Sequence, residues 1–442
     1  MVVGGWRVSA FGQVYQLKRF YMAFVPTEST AQQASPGRSF VIPLALVTTL
    51  FFLWGLANIL NSALISQFQP IFQISRAQAL FVETAFYMGY FTIAIPAALF
   101  MEKFSYKKGI ILGLVLYAIG ALMFIPAAKL LTFGFFLFAL YIIASGLAFL
   151  ETAANPYVTI LGKPETSVQR LNFSQAFNGL ALVVGPILAG QFIFAGNEGS
   201  LETQAAKEQA ANAVIFPYTL IAIGVLVIAA LVAIAKMPEF SSNVTLKFDR
   251  AIFKHKHLVW ATVAQFFYVG AQASIWGITI DYIIDVLPGT SKEMASTNYM
   301  PIGTGLFVVG RVAGTIIMSW VKDYILLRLF AVFASILCVL GIFGGGLVAV
   351  GSVLAVNFFM SIMFPTIFAL GAKNLGHHLK LGSSFIIMAI VGGAVLPPVL
   401  GKISIMYDVQ VAFIIPTICF IVVLLYSLKG YNAGLSRQNT EL

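Results

Sequence analysis

One carboxylate stands inside an apolar run that begins near Leu131: Glu151, in the segment GLAFLETAANPYVTILG from Gly146 to Gly162. A charge left unpaired at membrane depth costs about 2.5 to 3.5 kcal/mol on insertion scales, so an acid retained there marks an ion or substrate path. Asn155 follows four residues on, which puts it on the same helical face. Pro156 comes next and removes a backbone donor, so a polar, broken helix is expected, facing a protein- or water-lined interior. Glu151 is therefore the candidate for proton or cation coupling. The competing reading is a Glu held by a neighbouring helix purely for packing specificity.

Other polar side chains recur at helical spacing. Trp54, Asn58, Asn61 and Ser62 fall at i, i+4, i+7 and i+8, and Tyr268, Gln272 and Trp276 at i, i+4 and i+8. Asn172, Gln175 and Asn178 lie in a third apolar stretch. Amides donate and accept together, and an indole offers a flat apolar face, which suits the alternating C–H and O–H surfaces of a monosaccharide. With Asn155 these eleven residues form the candidate sugar-binding set. The alternative role for each amide is helix-to-helix glue, worth about 0.6 kcal/mol per contact in membranes. Glu102 beside Lys103, Asp323 beside Lys322, and Arg311 read as gate or topology charges. Glu83 lies close to a helix end where snorkelling is cheap. Asp281 is about 140° around the helix from Trp276 and is a secondary candidate, and Asp285 is a solvated terminus.

The elements that position these groups follow from composition. Of 442 residues, 60% are hydrophobic and 10% charged, and the mean hydropathy of +0.92 places the chain among polytopic membrane proteins. The net charge of +10 is scattered between apolar runs, which excludes a nucleic-acid surface. Cys338 and Cys419 lie inside apolar segments, and the four histidines fall in short basic connections. No metal site or cofactor is expected. Nor is a membrane-embedded hydrolase, since no nucleophile–base pair or HExxH stands out.

Residues 1–39 read as a cytoplasmic, disordered lead-in with no cleaved signal peptide, and Met22 is an alternative start. At about 20 residues per crossing, twelve helices are expected, near 40–66, 77–101, 108–128, 131–162, 167–195, 212–236, 257–286, 296–321, 326–349, 350–373, 380–406 and 410–428. The ninth and tenth divide near Gly351. The fold class is all-α, with two six-helix bundles at 40–236 and 257–428, a cytoplasmic linker at 237–256 and a tail at 429–442. With the N-terminus inside, 20 of the 26 Lys and Arg fall in inner segments, Lys163 and Arg170 among them, and five in outer loops: Arg76, Lys129, Lys207, Lys292 and Lys402. Both termini are thus expected in the cytoplasm.

The two halves look duplicated. Gly89 to Glu102 pairs with Gly310 to Asp323 at an offset of 221, Pro156 to Gly162 with Pro365 to Gly371 at 209, and Pro186 and Gly190 with Pro397 and Gly401 at 211. Such a repeat is the plan of transporters whose bundles rock about a midplane site.

Several segments are similar to one known family. FFLWGLANILN (51–61), AFYMGYF (85–91), GLAFLETAANP (146–156), RLNFSQAFN (170–178), AQFFYVGAQASIWG (264–277), MSIMFPTIFALGAKNLG (360–376) and GSSFIIM (382–388) resemble the fucose, glucose and galactose permease branch of the major facilitator superfamily, L-fucose:proton symporters above all. The resemblance, from about Phe40 to Tyr426, implies a central monosaccharide site and alternating access driven by a cation gradient. It makes Glu151 the transport carboxylate of the fourth helix and Asn178 a sugar-contacting amide. Two positions depart from the pattern. The family's symporters carry an Asp in helix one, in a motif like NNLND, where this chain reads NILNS, ending in Ser62. Phe364 stands where the family has a Tyr. A hydroxyl does not titrate near neutral pH, so two-carboxylate coupling lacks its second group, and sodium coupling or uniport stays open beside proton symport. The expected protein is a monomeric importer of a monosaccharide in the bacterial inner membrane; the alternative from another class is a non-transporting sugar sensor.

Overall fold

The structure, a computed structural model, describes residues 41–74, 81–188, 192, 203–238, 250–291 and 294–435. The 1–39 segment, most of the 237–256 linker, Arg76, Lys292 and the side chains of Asn61 and Ser62 lie outside the described residues. Twelve helical segments cross the molecule: α1 Val41–Phe72, α2 Phe81–Lys103, α3 Tyr106–Leu130, α4 Phe133–Ile160, α5 Ser167–Leu188, α6 Gln204–Ile234, α7 Lys256–Val286, α8 Ala295–Ile317, α9 Asp323–Phe343, α10 Gly346–Ala372, α11 Gly376–Met406 and α12 Val409–Gly430. Eleven are long and apolar enough to span a membrane among the described residues. The other, α5, carries the amides Gln169, Asn172, Gln175 and Asn178, and its 22 residues reach about 33 Å at 1.5 Å per residue.

Boundaries shift from the sequence expectation in places. α1 runs to Phe72 rather than 66. The ninth and tenth helices divide at Gly344 and Gly345, and Gly351 lies inside α10. Three glycines in a row end the helix better than one, and Gly346 takes a φ of 53°, a left-handed conformation open to glycine. The break expected at Pro156 is absent, because α4 stays helical to Ile160. It occurs in α10 instead, where Ser361 and Ile362 separate Gly346–Met360 from Met363–Ala372.

The expected duplication is visible in the packing. In the first six helices α1 packs on α5, α2 and α3 on α4, and α6 on α3; in the last six, α7 packs on α11, α8 and α9 on α10, and α12 on α9. Small residues permit matching crossings. A Cβ at Gly89 would fall on Ala144 of α4, and one at Gly310 would fall on the Phe358 carbonyl of α10.

The halves join chiefly toward one end, the end where α1 begins. There Lys380 Nζ of α11 donates to the Met101 carbonyl of α2 at 3.1 Å and lies over the Tyr106 ring. Gln169 Nε2 donates to the Thr315 carbonyl at 3.3 Å, and Asn172 Nδ2 to Thr366 Oγ1 at 3.2 Å. Arg170, counted among the inner positive charges, is fully buried at this same end. Its guanidinium donates to the carbonyls of Val158, Thr159 and Lys163, at 3.3, 2.9 and 2.8 Å, and to Thr166 Oγ1. It thereby caps the last turn of α4, whose carbonyls lack intrahelical donors.

Candidate functional site

Glu151 lies in the part of α4 that is buried on every side, at 2% exposure. Among the described residues neither carboxylate oxygen has a hydrogen-bond partner. The Tyr90 hydroxyl of α2 stands next to this carboxylate and also next to the Trp54 indole of α1. The Trp54 N–H and the Tyr90 hydroxyl are likewise buried without a partner.

A polar chain leads from Glu151 toward the second half. Asn155 Nδ2 donates to the Glu151 carbonyl at 3.0 Å, and Asn155 Oδ1 accepts from Gln175 Nε2 at 3.2 Å. The Gln175 carbonyl accepts from Arg311 Nη1 of α8 at 2.8 Å. Arg311 is buried within α8, and its second bond explains the α10 break. Pro365 has no N–H for the Ser361 carbonyl four residues back, and Arg311 Nε donates to that oxygen at 2.9 Å. Tyr268 caps the neighbouring Met360 carbonyl through its hydroxyl at 3.0 Å.

Aromatic rings tie the halves together beside this chain. Trp54 lies 5.9 Å from Phe364 of α10, which in turn lies 6.4 Å from Tyr268. Arg311 sits over the Phe307 ring at 4.6 Å, and Phe307 meets Trp276 edge-on at 5.3 Å. The Trp276 indole donates to Asn357 Oδ1 of α10 at 2.8 Å.

The sequence candidates thus divide. Glu151, Asn155, Gln175 and Trp54 converge, and Arg311 joins them. Asn178 donates to the Phe51 carbonyl at 3.2 Å and lies against Gly55, one residue from Trp54. Asn172 is buried and tied to Thr366. Trp54, Asn58, Asn178, Gln272 and Trp276 are half-buried, leaving surface for a ligand, whereas Tyr268 is buried with its hydroxyl occupied. Among the charges at helix ends, Glu102 is half-buried, Lys103 is exposed, and Asp323 Oδ1 accepts from the Tyr324 N–H at 2.7 Å at the start of its own helix. The histidines pair at the closed end. His255 Nε2 and His378 Nδ1 are 3.3 Å apart, His257 Nε2 lies 2.8 Å from the Lys373 carbonyl, and burial with the neighbouring His378 pushes the His255 imidazole down from its ordinary value. Among the described residues no His, Cys, Asp or Glu group has metal-binding geometry.

Sequence reasoning missed Tyr90, Asn357 and the burial of Arg170. Tyr90 sits in AFYMGYF, where a tyrosine looks like any packing aromatic. Asn357 was findable as the one amide of its apolar segment, Gly346–Met360.

Comparison with known proteins agrees with this architecture. Residues 46–391 match the Major Facilitator Superfamily. The chain is 39% identical over 416 residues to the L-fucose-proton symporter of Escherichia coli (strain K12), covering 90% of this chain and 94% of that protein. It is 36% identical to the glucose/galactose transporter of Brucella abortus biovar 1 (strain 9-941), covering 92% and 98%. The crystal structure of the major facilitator transporter FucP in the outward conformation superposes with a TM-score of 0.81 at 38% identity, over 88% of this chain and 99% of that one. A proton:xylose symporter at 13% identity and a TM-score of 0.66 shares the fold. With matched sequence over nearly its whole described length and the same paired six-helix architecture, the chain belongs to the Major Facilitator Superfamily.

Proposed function

We propose that this protein is a secondary active transporter that carries a monosaccharide across the membrane by alternating access, coupled to protons through the single acid Glu151. The observation that carries the reading is a buried carboxylate with both oxygens unpartnered among the described residues, on the helix of the first half that packs against α10 and α11 of the second. A permanently ionised acid there is costly. One that takes up and releases a proton as the site opens to each side is a coupling device. The symporter and sugar-transporter names of the relatives support this class of substrate and ion.

Trp54, Asn58, Asn178, Gln272 and Trp276 are the sugar contacts in this reading, stacking the ring and bonding its hydroxyls. Asn155 and Gln175 hold Glu151 in register. The bundle sits in the inner membrane as a monomer, with both termini and the 236–256 connection cytoplasmic, so the joined end is the inner one and the conformation faces outward. A reporter placed in the 240–250 segment is expected on the cytoplasmic side.

The test is counterflow in proteoliposomes with a panel of labelled monosaccharides, repeated under imposed proton and sodium gradients. Exchange of at least one hexose or 6-deoxyhexose, with accumulation following the proton gradient, is expected. Accumulation that follows sodium alone would assign Glu151 a fixed charge.

A further inference from the structure

Among the described residues, three neighbouring buried groups on three helices are left without a well-formed hydrogen bond: the Trp54 indole N–H on α1, the Tyr90 hydroxyl on α2 and the Glu151 carboxylate on α4. Their chemistry restricts how they pair. An indole only donates, an ionised carboxylate only accepts, and a phenol does both. The phenol stands next to each of the other two. One order gives each of the three a partner: Trp54 N–H to the Tyr90 oxygen, and Tyr90 O–H to one oxygen of Glu151.

We propose that Tyr90 is the positioning residue for proton exchange at Glu151, oriented by Trp54, and that this indole–phenol–carboxylate chain takes the role of a second acid in α1. The inference rests on the transport reading above. With the indole seated on the phenol oxygen, the phenolic hydrogen is directed at the carboxylate and favours the ionised acid. With the indole displaced, the phenol is free to accept from protonated Glu151. Tyr90 keeps its own proton throughout, and the transported proton passes between Glu151 and water on the side to which the site is open.

What displaces the indole is also on hand. The Trp54 ring is half-buried and lies 5.9 Å from Phe364 of the other half. A sugar stacked on its free face, or a rocking of α10 against α1, moves the N–H that orients Tyr90. Sugar occupancy and the protonation of Glu151 are then linked through one side chain, as coupling requires.

The experiment is the pH profile of proton-driven uptake in proteoliposomes, each variant normalised to its own maximum. Tyr90→Phe removes the donor to the ionised carboxylate and also the weaker, neutral acceptor of protonated Glu151; the charged bond is the stronger, so half-maximal uptake is expected to move upward by about one to two pH units, the equivalent of a lost hydrogen bond to a charged group. Trp54→Phe, which keeps a ring but no N–H, should shift it the same way by less. A profile unchanged in both variants overturns the inference while leaving proton-coupled transport standing. A thermal-shift scan checks that Tyr90→Phe folds, and if it does not, Trp54→Phe alone decides. If wild-type uptake ignores the proton gradient, the transport reading fails first and the inference falls with it.

Discussion

Two buried charges in the first six helices, Glu151 and Arg170, are opposites in how they are held. Arg170 is fully buried and donates to three backbone carbonyls and a threonine hydroxyl. Glu151 is 2% exposed, and its oxygens have no hydrogen-bond partner among the described residues. Removing a charge from water is tolerable when every donor finds an acceptor and costly otherwise. The satisfied cation is a fixed fastener, and Arg311, with its bonds to the Gln175 and Ser361 carbonyls, belongs with it. In the function proposed above, the unsatisfied acid is the place where a change of state lowers the free energy, and so the place where a proton gradient acts.

The contrast breaks first at the acid. Glu151→Gln mimics the protonated state, so uphill accumulation of sugar is expected to disappear, while exchange of sugar for sugar continues because exchange need not cycle the proton. Equal accumulation in mutant and wild type would move Glu151 to a packing role.

Arg170→Met should do the reverse. It orphans the Val158 and Thr159 carbonyls, at about 1 to 3 kcal/mol for each that stays dry, while the Lys163 carbonyl keeps its bonds from Thr166. A thermal-shift measurement should show a clear loss of stability, and the proton dependence of whatever protein folds should be that of wild type. A changed proton dependence would remove the distinction between the two charges.

Much of this was legible in the sequence. Twelve apolar stretches and a conspicuous acid are one-dimensional signals, as is the i+4 spacing of Glu151 and Asn155. The repeat was legible too, through Gly89 and Gly310, because a close helix crossing demands a small residue wherever it recurs. What failed needed a partner from elsewhere in the chain. Pro156 and Pro365 look alike as helix breakers, yet only the helix of Pro365 opens, with Arg311 of α8 reaching the carbonyl that it frees. Arg170 lies in the first turn after a Pro-containing connection and counts as an inner topology charge until the end of α4 folds over it. Tyr90 gains its meaning only from Trp54 and Glu151 on two other helices.

Smaller effects sharpen the sugar side of the account. Asn178→Ala or Gln272→Ala should weaken sugar binding by about 0.5 to 3 kcal/mol, roughly twofold to 150-fold, the range for a lost hydrogen bond or an orphaned partner. Equilibrium binding reads this, and unchanged affinity in both would place the sugar elsewhere. The smallest effect is expected for Ser62→Asp. It restores an acid to α1 and should add a second inflection to the pH profile of uptake without abolishing transport. A single, unmoved inflection would show that position 62 does not communicate with the proton site.

The most direct test of single-acid coupling is the proton itself. Transported sugar is added to a lightly buffered suspension of proteoliposomes, with no imposed gradient and a permeant ion to dissipate charge, and the external pH is followed. Wild-type protein is expected to make the medium alkaline as sugar enters, and Glu151→Gln to leave it unchanged while still exchanging labelled sugar into vesicles preloaded with the unlabelled sugar. Sugar entry without alkalinisation in the wild type, or the same alkalinisation in Glu151→Gln, would contradict the account.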